Sequence, residues 1–224
     1  MPLFITANLG RHVDVQEFLT NVRAIDDEAG RGTVIGFQEI DEADTPNEHG
    51  GLRQVLGEAF GFAGWPTRVP IAYGDRWRKV REDVIKASRG LVRLSPARVI
   101  TEVVLEHADG SVLVFLDVHF PRKDPRLFSR WRSVRAKLRA RIAYWHERGF
   151  TVVWTGDANR VHLERLHPGE RTLAHHGLDW IRCVEHPAGA QVHVVDSGSI
   201  DLTIDGHDAQ WVRVALHTPL GGTP

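Results

Sequence analysis

The residues that could carry out chemistry in this sequence accompany apolar, strand-like runs along nearly the whole chain. Each has an amide, carboxylate or imidazole side chain: Asn8, Glu39, His119, Asp157 with Asn159, Asp201 and His217. Such groups bind divalent metal ions, transfer protons and donate hydrogen bonds to anionic oxygens. Because a strand end holds a side chain rigidly at the edge of a sheet, the set predicts that these groups meet in one cleft.

The elements that must position these residues can be inferred from the apolar pattern. Residues 3–9 and 33–37 are predicted to be neighbouring strands, separated by a helix that begins after Asp14. Further strands are predicted at 90–94, 99–106, 112–118 and 151–155, and later at 192–195, 200–204 and 211–216. Asp109-Gly110 is a typical hairpin turn. Strands outnumber helices and helices lie between strand pairs, which favours a layered α/β protein with sheets of mixed direction.

The longest predicted helix follows Pro125, where apolar residues recur every three or four positions from Leu127 to Trp145. Residues 64–86 and 160–183 show no clear pattern; the first is interpreted as irregular with one possible strand.

Length and composition exclude several classes of protein. With 224 residues, 42% hydrophobic and 25% charged, the chain is long enough and apolar enough for one domain, residues 1–224, without a disulfide. The central apolar run 112–116 is too short to span a bilayer, and the N-terminus shows no secretory leader. A lone cysteine, Cys183, fits a reducing compartment. We therefore expect a cytoplasmic, intracellular monomer with no membrane partner.

The net charge of −1 conceals a strongly basic segment. Residues 122–148 contain ten Lys or Arg and two acidic residues. One interpretation is a ridge that binds phosphates and starts near His119; its first candidate nucleic-acid contacts are Arg122, Lys123, Arg126 and Arg130. The other is a solvated helix face that pairs with acidic residues elsewhere.

Six short segments, taken together, resemble a known family. They are TANLG at 6–10, FQEI at 37–40, DVHF at 117–120, TGDANR at 155–160, SIDLTI at 199–204 and LHTP at 216–219. In this order they are similar to motifs of the endonuclease/exonuclease/phosphatase family of metal-dependent phosphodiesterases. The resemblance implies a four-layered α/β/β/α sandwich of two mixed sheets flanked by helices, with the site at one end.

The resemblance also implies a metal and a set of roles. Glu39 would bind Mg²⁺, with Mn²⁺ as an alternative, and Asn8 would support the metal pocket. The metal would neutralise charge on the phosphoryl oxygens of the substrate.

The remaining matched residues would act on the substrate and the attacking water. Asp157 would orient or deprotonate the water, and Asn159 would donate to a phosphoryl oxygen. His119 matches a phosphate-contacting histidine, and His217 matches the family's final histidine, oriented by Asp201. The sequence leaves open whether Asp157 or His217 is the base.

The C-terminal motif departs from the family, which ends in Ser-Asp-His where this chain has Ala215-Leu216-His217. Leucine cannot bind a metal, so a carboxylate is missing. Asp196, Asp205 and Asp208 are the nearby residues that could replace it.

Three functions follow from these observations. The leading one is a nuclease that hydrolyses DNA or RNA by in-line attack of an activated water. The second is a phosphatase of the same fold that acts on a small phosphate ester. The third is a binding module whose catalysis is weakened because Leu216 replaces the expected aspartate.

Overall fold

Two six-stranded mixed sheets form the centre of the molecule. The structure, a computed structural model, describes residues 1–10, 14–40, 47–204 and 207–218. One sheet contains β1 (Leu3–Asn8), β2 (Thr33–Gln38), β3 (Phe60–Ala63), β4 (Ile71–Gly74), β11 (Gln191–Ile200) and β12 (Ala209–His217). The other contains β5 (Trp77–Ser88), β6 (Arg98–His107), β7 (Val112–His119), β8 (Thr151–Asp157), β9 (Glu170–His176) and β10 (Asp179–Val184).

The strand order places two parallel pairs at the middle of the molecule. The first sheet has the order β11-β12-β1-β2-β4-β3 and the second β5-β6-β7-β8-β10-β9. β1 pairs in parallel with β2, and β7 with β8, whereas their other neighbours are antiparallel. Each sheet therefore has a central crossover at which two carboxyl ends lie side by side.

Three helices cover the outer faces of the sheets. Apolar residues of α1 (Val15–Glu28) and α2 (Glu48–Leu56) pack on the first sheet, and those of α3 (Phe128–His146) pack on the second. Between the sheets, Phe4, Phe115 and Val153 belong to a third apolar cluster, with the two phenylalanine rings 5.7 Å apart. These four layers confirm the α/β/β/α sandwich that the resemblance implies.

Local signals explain the elements that agree with the sequence. Asp14 caps α1 by accepting from Gln16 N at 2.8 Å. The β6–β7 hairpin turns at Gly110, whose φ of 87° is readily adopted by glycine. In α3 the predicted apolar stripe is buried at Val134, Leu138 and Ile142. None of the helices in the described ranges is long and apolar enough to cross a lipid bilayer.

Two predicted strands were wrong. Residues 90–94 form a turn with one isolated bridge, Leu91 to Ser95, and of residues 200–204 only Ile200, the last residue of β11, belongs to a strand. Residues 64–86 contain β4 and most of β5, and the unassigned segment 160–183 contains β9 and most of β10. β5 gave no strand signal because it is an edge strand whose central residues are exposed and largely charged.

A buried polar cluster joins the two sheets behind the strand ends. Asp117 Oδ1 accepts from Gln38 Nε2 and from Thr155 Oγ1, both at 2.7 Å. Asp117 Oδ2 has no hydrogen-bond partner in the described part of the chain. Burial raises the pKa of Asp117 well above its ordinary value, and the hydrogen bonds from Thr155 and Gln38 only partly oppose this. Burial therefore favours the protonated form of this carboxyl group in the folded protein.

Asp117→Asn should stabilise the protein increasingly as the pH rises. A raised folded-state pKa means that wild type loses stability from about pH 4, where an unfolded aspartate titrates, up to the folded-state pKa, by at most about 1.4 kcal/mol per pH unit. Asparagine can accept the same two hydrogen bonds without titrating. Thermal unfolding of both proteins from acidic to mildly alkaline pH measures this, and parallel stability curves would show that Asp117 is ionised in the fold.

Candidate active site

A cleft lies where the carboxyl ends of the two parallel pairs meet. Asn8 ends β1 opposite Gln38, and Glu39 directly follows β2. His119 ends β7 opposite Asp157, the last residue of β8. These ends, together with Arg98 of β6 and residues from five loops, line a cavity of about 230 Å³. The strand register therefore brings Asn8, Glu39, His119 and Asp157 into one place, with Asn159 beside them.

Asp157 is the most heavily hydrogen-bonded carboxylate of the cleft. Its Oδ1 accepts from Asn159 N at 2.6 Å, and its Oδ2 accepts from Asn8 Nδ2 at 3.1 Å and Asn159 Nδ2 at 3.0 Å. Burial raises the pKa of Asp157, but the interactions with His119 and with the Asn159 backbone outweigh it and leave the pKa below its ordinary value. Asp157 is an ionised, fixed acceptor.

The backbone at the cleft adopts conformations that non-glycine residues seldom take. Glu39 has φ 68° and Asn159 has φ 51°, both in the left-handed region. Three residues before Asn159, only glycine fits at position 156, because a Cβ on Gly156 would overlap the carbonyl oxygen of Val118. Strain of this kind persists where the surrounding structure enforces it, and it is concentrated at functional sites.

Asp179 and His207 form a second charged pair beside Asp157. Asp179 begins β10 opposite Asp157, and its Oδ2 lies 2.9 Å from His207 Nδ1. Burial lowers the pKa of His207, but the hydrogen bond to Asp179 and the charges of Asp179 and Asp157 outweigh it and raise the pKa above its ordinary value. Burial raises the pKa of Asp179 to about 6 although His207 opposes it. The pairing therefore favours the protonated form of His207, and Asp179 leaves the Nε2 atom of that ring free for another partner.

His119 is held neutral by its neighbours. Arg98 Nη1 lies 3.0 Å from His119 Nδ1, and a guanidinium can only donate, so Nδ1 accepts. The proton is then on Nε2, which lies 3.4 Å from Asp157 Oδ2 and 3.6 Å from Glu39 Oε1. Burial and the charge of Arg98 lower the pKa of His119 more than the two carboxylates raise it.

Arg98→Gln should raise the pKa of His119. The substitution removes the positive charge that faces Nδ1, whereas Arg98→Lys keeps a charge there. Titration of the His119 ring followed by NMR measures the pKa, which we expect below the ordinary value of about 6.5 in wild type and higher in the glutamine variant. An unchanged pKa in Arg98→Gln would contradict the tautomer assigned here.

Three arginine side chains also line the cleft. Arg68 and Arg98 are each 8% exposed and contribute to its wall, and Arg122 lies at its exposed side. Three guanidinium groups in a cavity of this size can neutralise a phosphate and bind its oxygens in a planar geometry.

Comparison with known proteins places this geometry in a known fold. Neither a protein-family model nor a curated protein matches the sequence. Solved structures do match the structure. A mannosyl-6-phosphatase from Bacteroides thetaiotaomicron has a TM-score of 0.71 at 12% identity, over 96% of this chain and 100% of the other. An endonuclease/exonuclease/phosphatase family protein from the same organism has a TM-score of 0.71 at 11% identity, over 99% and 97%.

A third similar structure is D. rerio TDP2 complexed with a single-strand DNA product. Its TM-score is 0.70 at 11% identity, over 95% of this chain and 98% of the other. The chain has the endonuclease/exonuclease/phosphatase fold. The likeness extends over nearly the whole length of each chain, so the resemblance seen in six short segments was correct for the fold.

Within the endonuclease/exonuclease/phosphatase fold of this chain, the predicted Asp201–His217 pair was wrong. In the β11–β12 ladder, Ile200 lies opposite Ala209, whereas Gln191 lies opposite His217. Asp201 therefore follows one end of the ladder and His217 lies at the other, roughly 26 Å away at 3.3 Å per residue. Both side chains are exposed. The Asp–His pair of the cleft is Asp179 and His207.

The expectation that Leu216 occupies the place of a metal-binding carboxylate in the site was wrong for the same reason. Leu216 lies near the far end of β12, opposite Val192, so its side chain does not bear on the cleft. In the sequence Gly206 precedes His207, so a carboxylate is absent at that position too. Of the proposed replacements, Asp196 is exposed on β11, Asp208 lies 3.9 Å from exposed His176, and Asp205 lies outside the described residues.

Of the four predicted nucleic-acid contacts, the structure places one in the lining of the cleft. Arg122 lines the cleft, and Lys123 beside it is exposed. Arg126 bonds to Asp124 at 2.8 Å, and Arg130 Nε donates to the carbonyl of Arg89 at 3.2 Å. Further along α3 other arginines pair with acidic residues, such as Arg135 with Glu164. Only the start of the basic segment therefore belongs to the cleft.

The donor set at the cleft fits a divalent cation. Asp157, Asp179 and His207 offer one ligand atom each, and these atoms lie within 4.8 Å of one another. Asp179 Oδ1 is buried with no partner in the described part of the chain, as expected where a ligand completes a site. Glu39 lines the same cavity, and hard carboxylate oxygens are the ligands that Mg²⁺ and Mn²⁺ prefer.

Sequence reasoning missed four residues of the cleft. Asp179 and His207 precede their strands instead of following them, so a search for polar residues after apolar runs passed over both. The apolar run after Asp179, Trp180 to Val184, was the available signal for that residue. For Arg68 and Arg98 the sequence contained no comparable signal.

Proposed function

We propose that the protein is a divalent-metal-dependent hydrolase of phosphoric esters, and that its substrate is a phosphodiester of DNA or RNA. The observation that carries this is the convergence of acidic, basic and imidazole groups in one small cleft at the sheet ends. The fold shared with a phosphatase and with TDP2 supports the same class of reaction.

Charge neutralisation and water activation are divided among these groups. A Mg²⁺ or Mn²⁺ ion held by Glu39, with Asn8 supporting the pocket, would neutralise the phosphoryl oxygens; protonated His207 is not among its ligands, because an imidazolium has no lone pair to offer a metal. Arg68, Arg98 and Arg122 bind the same oxygens by charge-assisted hydrogen bonds.

Proton movement is assigned to the ionised and protonated groups of the cleft. Asp157 is ionised and fixed, so it orients the attacking water and accepts its proton. His207, protonated and held by Asp179, stabilises the charge that develops on the phosphoryl group. The Nε2–H of neutral His119 positions the phosphate, and Asn159 holds Asp157 in place through its backbone and amide hydrogens. Water would attack in line, opposite the leaving oxygen.

A small phosphate ester is the second candidate substrate. The cleft volume of about 230 Å³ suits a single phosphate group, and a similar structure is a mannosyl-6-phosphatase. Leu216 gives no support to a noncatalytic binding module, because it lies away from the cleft. The buried Cys183 fits the cytoplasmic location that we propose.

A substrate panel tests the proposal. The purified protein is incubated with single-stranded DNA, duplex DNA, RNA, a chromogenic phosphodiester and sugar phosphates, each with Mg²⁺, Mn²⁺ or EDTA. We expect metal-dependent cleavage of nucleic acid. Phosphate release from sugar phosphates alone would select the second candidate, and no hydrolysis with either metal would refute the proposed class.

A further inference from the structure

The turn between β5 and β6 forms one wall of the cleft, and it continues beyond it. Leu94, Ser95 and Pro96 line the active-site cavity. The same residues, with Gly90 to Arg93, line an adjacent open cavity of about 620 Å³. We name residues 90–96 the wall turn. A ligand bound at the catalytic groups can therefore extend directly across it.

The wall turn is exposed but held in one shape. Leu91 N donates to Ser95 O at 2.8 Å, and Ser95 N donates back to Leu91 O at 3.0 Å. Its base is fixed to α3 by Ser133 Oγ, which donates to the carbonyl of Ala87 at 2.7 Å. Arg93 at its tip has φ 60°, a strained conformation for a non-glycine residue. A preorganised turn loses little entropy when a ligand binds.

The tip of the wall turn combines apolar and basic side chains. Val92 is 87% exposed, the most exposed of the large hydrophobic side chains in the described ranges. Residues 86–98 contain Lys86, Arg89, Arg93 and Arg98 and no acidic residue. Apolar contacts suit the face of a nucleobase, and the exposed guanidinium of Arg93 suits a phosphate beside it.

We propose that the wall turn binds the strand next to the scissile phosphate, with Val92 against a base and Arg93 on a backbone phosphate. The inference rests on the proposed function, and it names an unpaired strand of nucleic acid as the ligand, since only unstacked bases can lie against an exposed side chain. A small phosphate ester in the catalytic cavity could touch Leu94, Ser95 and Pro96, whereas the proposed contacts at Val92 and Arg93 lie in the adjacent cavity.

Two variants separate the two contacts. Val92→Ser removes the apolar tip without adding charge, and Arg93→Asn removes the charge while keeping a residue that tolerates positive φ. Val195→Ser on β11, where Val195 is 56% exposed, and Arg23→Asn on α1 are the matched controls. Binding is measured in EDTA by fluorescence anisotropy of a labelled single strand of about 12 nucleotides and of the same strand made abasic.

We expect each wall-turn variant to raise the Kd for the normal strand by about ten-fold, and the controls to leave it within about two-fold. Val92→Ser should have little effect on binding of the abasic strand, whereas Arg93→Asn should weaken binding of both strands and lower the slope of log Kd against log salt concentration by about one. Equal Kd values for wild type and both wall-turn variants, or no binding of the strand by wild type, would overturn the inference.

The binding experiment is independent of the substrate panel. Loop-dependent strand binding by a protein that hydrolyses nothing would refute the proposed function and leave this inference standing. If the protein hydrolyses single strands and the wall-turn variants leave KM and kcat unchanged, this inference is refuted and the proposed function stands.

Discussion

Asp157→Asn should lower metal-dependent hydrolysis by about 10³-fold, within the range for loss of a positioned general base. Its two oxygens accept from Asn8 Nδ2, Asn159 N and Asn159 Nδ2. An asparagine at this position turns its NH2 group toward at least one of these N–H donors, so that hydrogen bond is lost. Its amide also cannot accept a proton from water. Steady-state kinetics on the substrate that wild type cleaves best, at saturating metal, measures the loss.

Asp201→Asn is the matched control, because this aspartate is exposed and is not among the residues that line the cleft. We expect its kcat to stay within about two-fold of wild type. Asp157→Ala, which leaves no donor, should lose activity to a similar extent; its thermal unfolding shows whether the fold is retained. An Asp157→Ala protein that is folded and cleaves like wild type would remove Asp157 from the reaction.

Glu170→Gln should lower the free energy of unfolding by about 3–5 kcal/mol, the usual cost of removing one member of a buried ion pair. Arg182 Nη1 lies 3.1 Å from Glu170 Oε2, and both residues are buried. Glu170 also accepts from Trp154 Nε1 at 2.6 Å and from Leu166 N at 2.7 Å. Burial lowers the pKa of Arg182 although Glu170 opposes the shift. Without the charge of Glu170, the buried guanidinium would lose this compensation.

Glu164→Gln is the control for this pair. Glu164 bonds to Arg135 at 2.7 Å, but its side chain is 86% exposed, so its loss should cost less than about 1 kcal/mol. Urea unfolding of both variants gives the two free energies. Similar values for Glu170→Gln and Glu164→Gln would mean that the buried pair contributes no more than an exposed one.

The predicted site residues that the structure brings together lie on parallel strands or directly follow them. Asn8, Glu39, His119 and Asp157 end or follow β1, β2, β7 and β8, and the carboxyl ends of parallel neighbours must share an edge. Apolar runs mark these strands clearly because they are buried on both faces. For them, strand position in the sequence was enough to predict convergence.

The rest of the site could not be predicted by this rule, because it lies on antiparallel strands. A strand that runs the other way presents its first residue at the same edge, as β10 does with Asp179 and β12 with the preceding His207. Strand direction is fixed by pairing across the sheet, which a single sequence does not reveal. His217 was chosen because it follows an apolar run, and the reversal of β12 places it at the opposite edge.

The most direct test of the site is to compare His207→Ala with His217→Ala in the same metal-dependent assay. His207 lines the cleft and is bonded to Asp179, whereas His217 is exposed at the far end of β12. We expect His207→Ala to lose about 10²-fold or more in kcat and His217→Ala to match wild type. Loss of activity in His217→Ala with wild-type activity in His207→Ala would contradict the cleft described here.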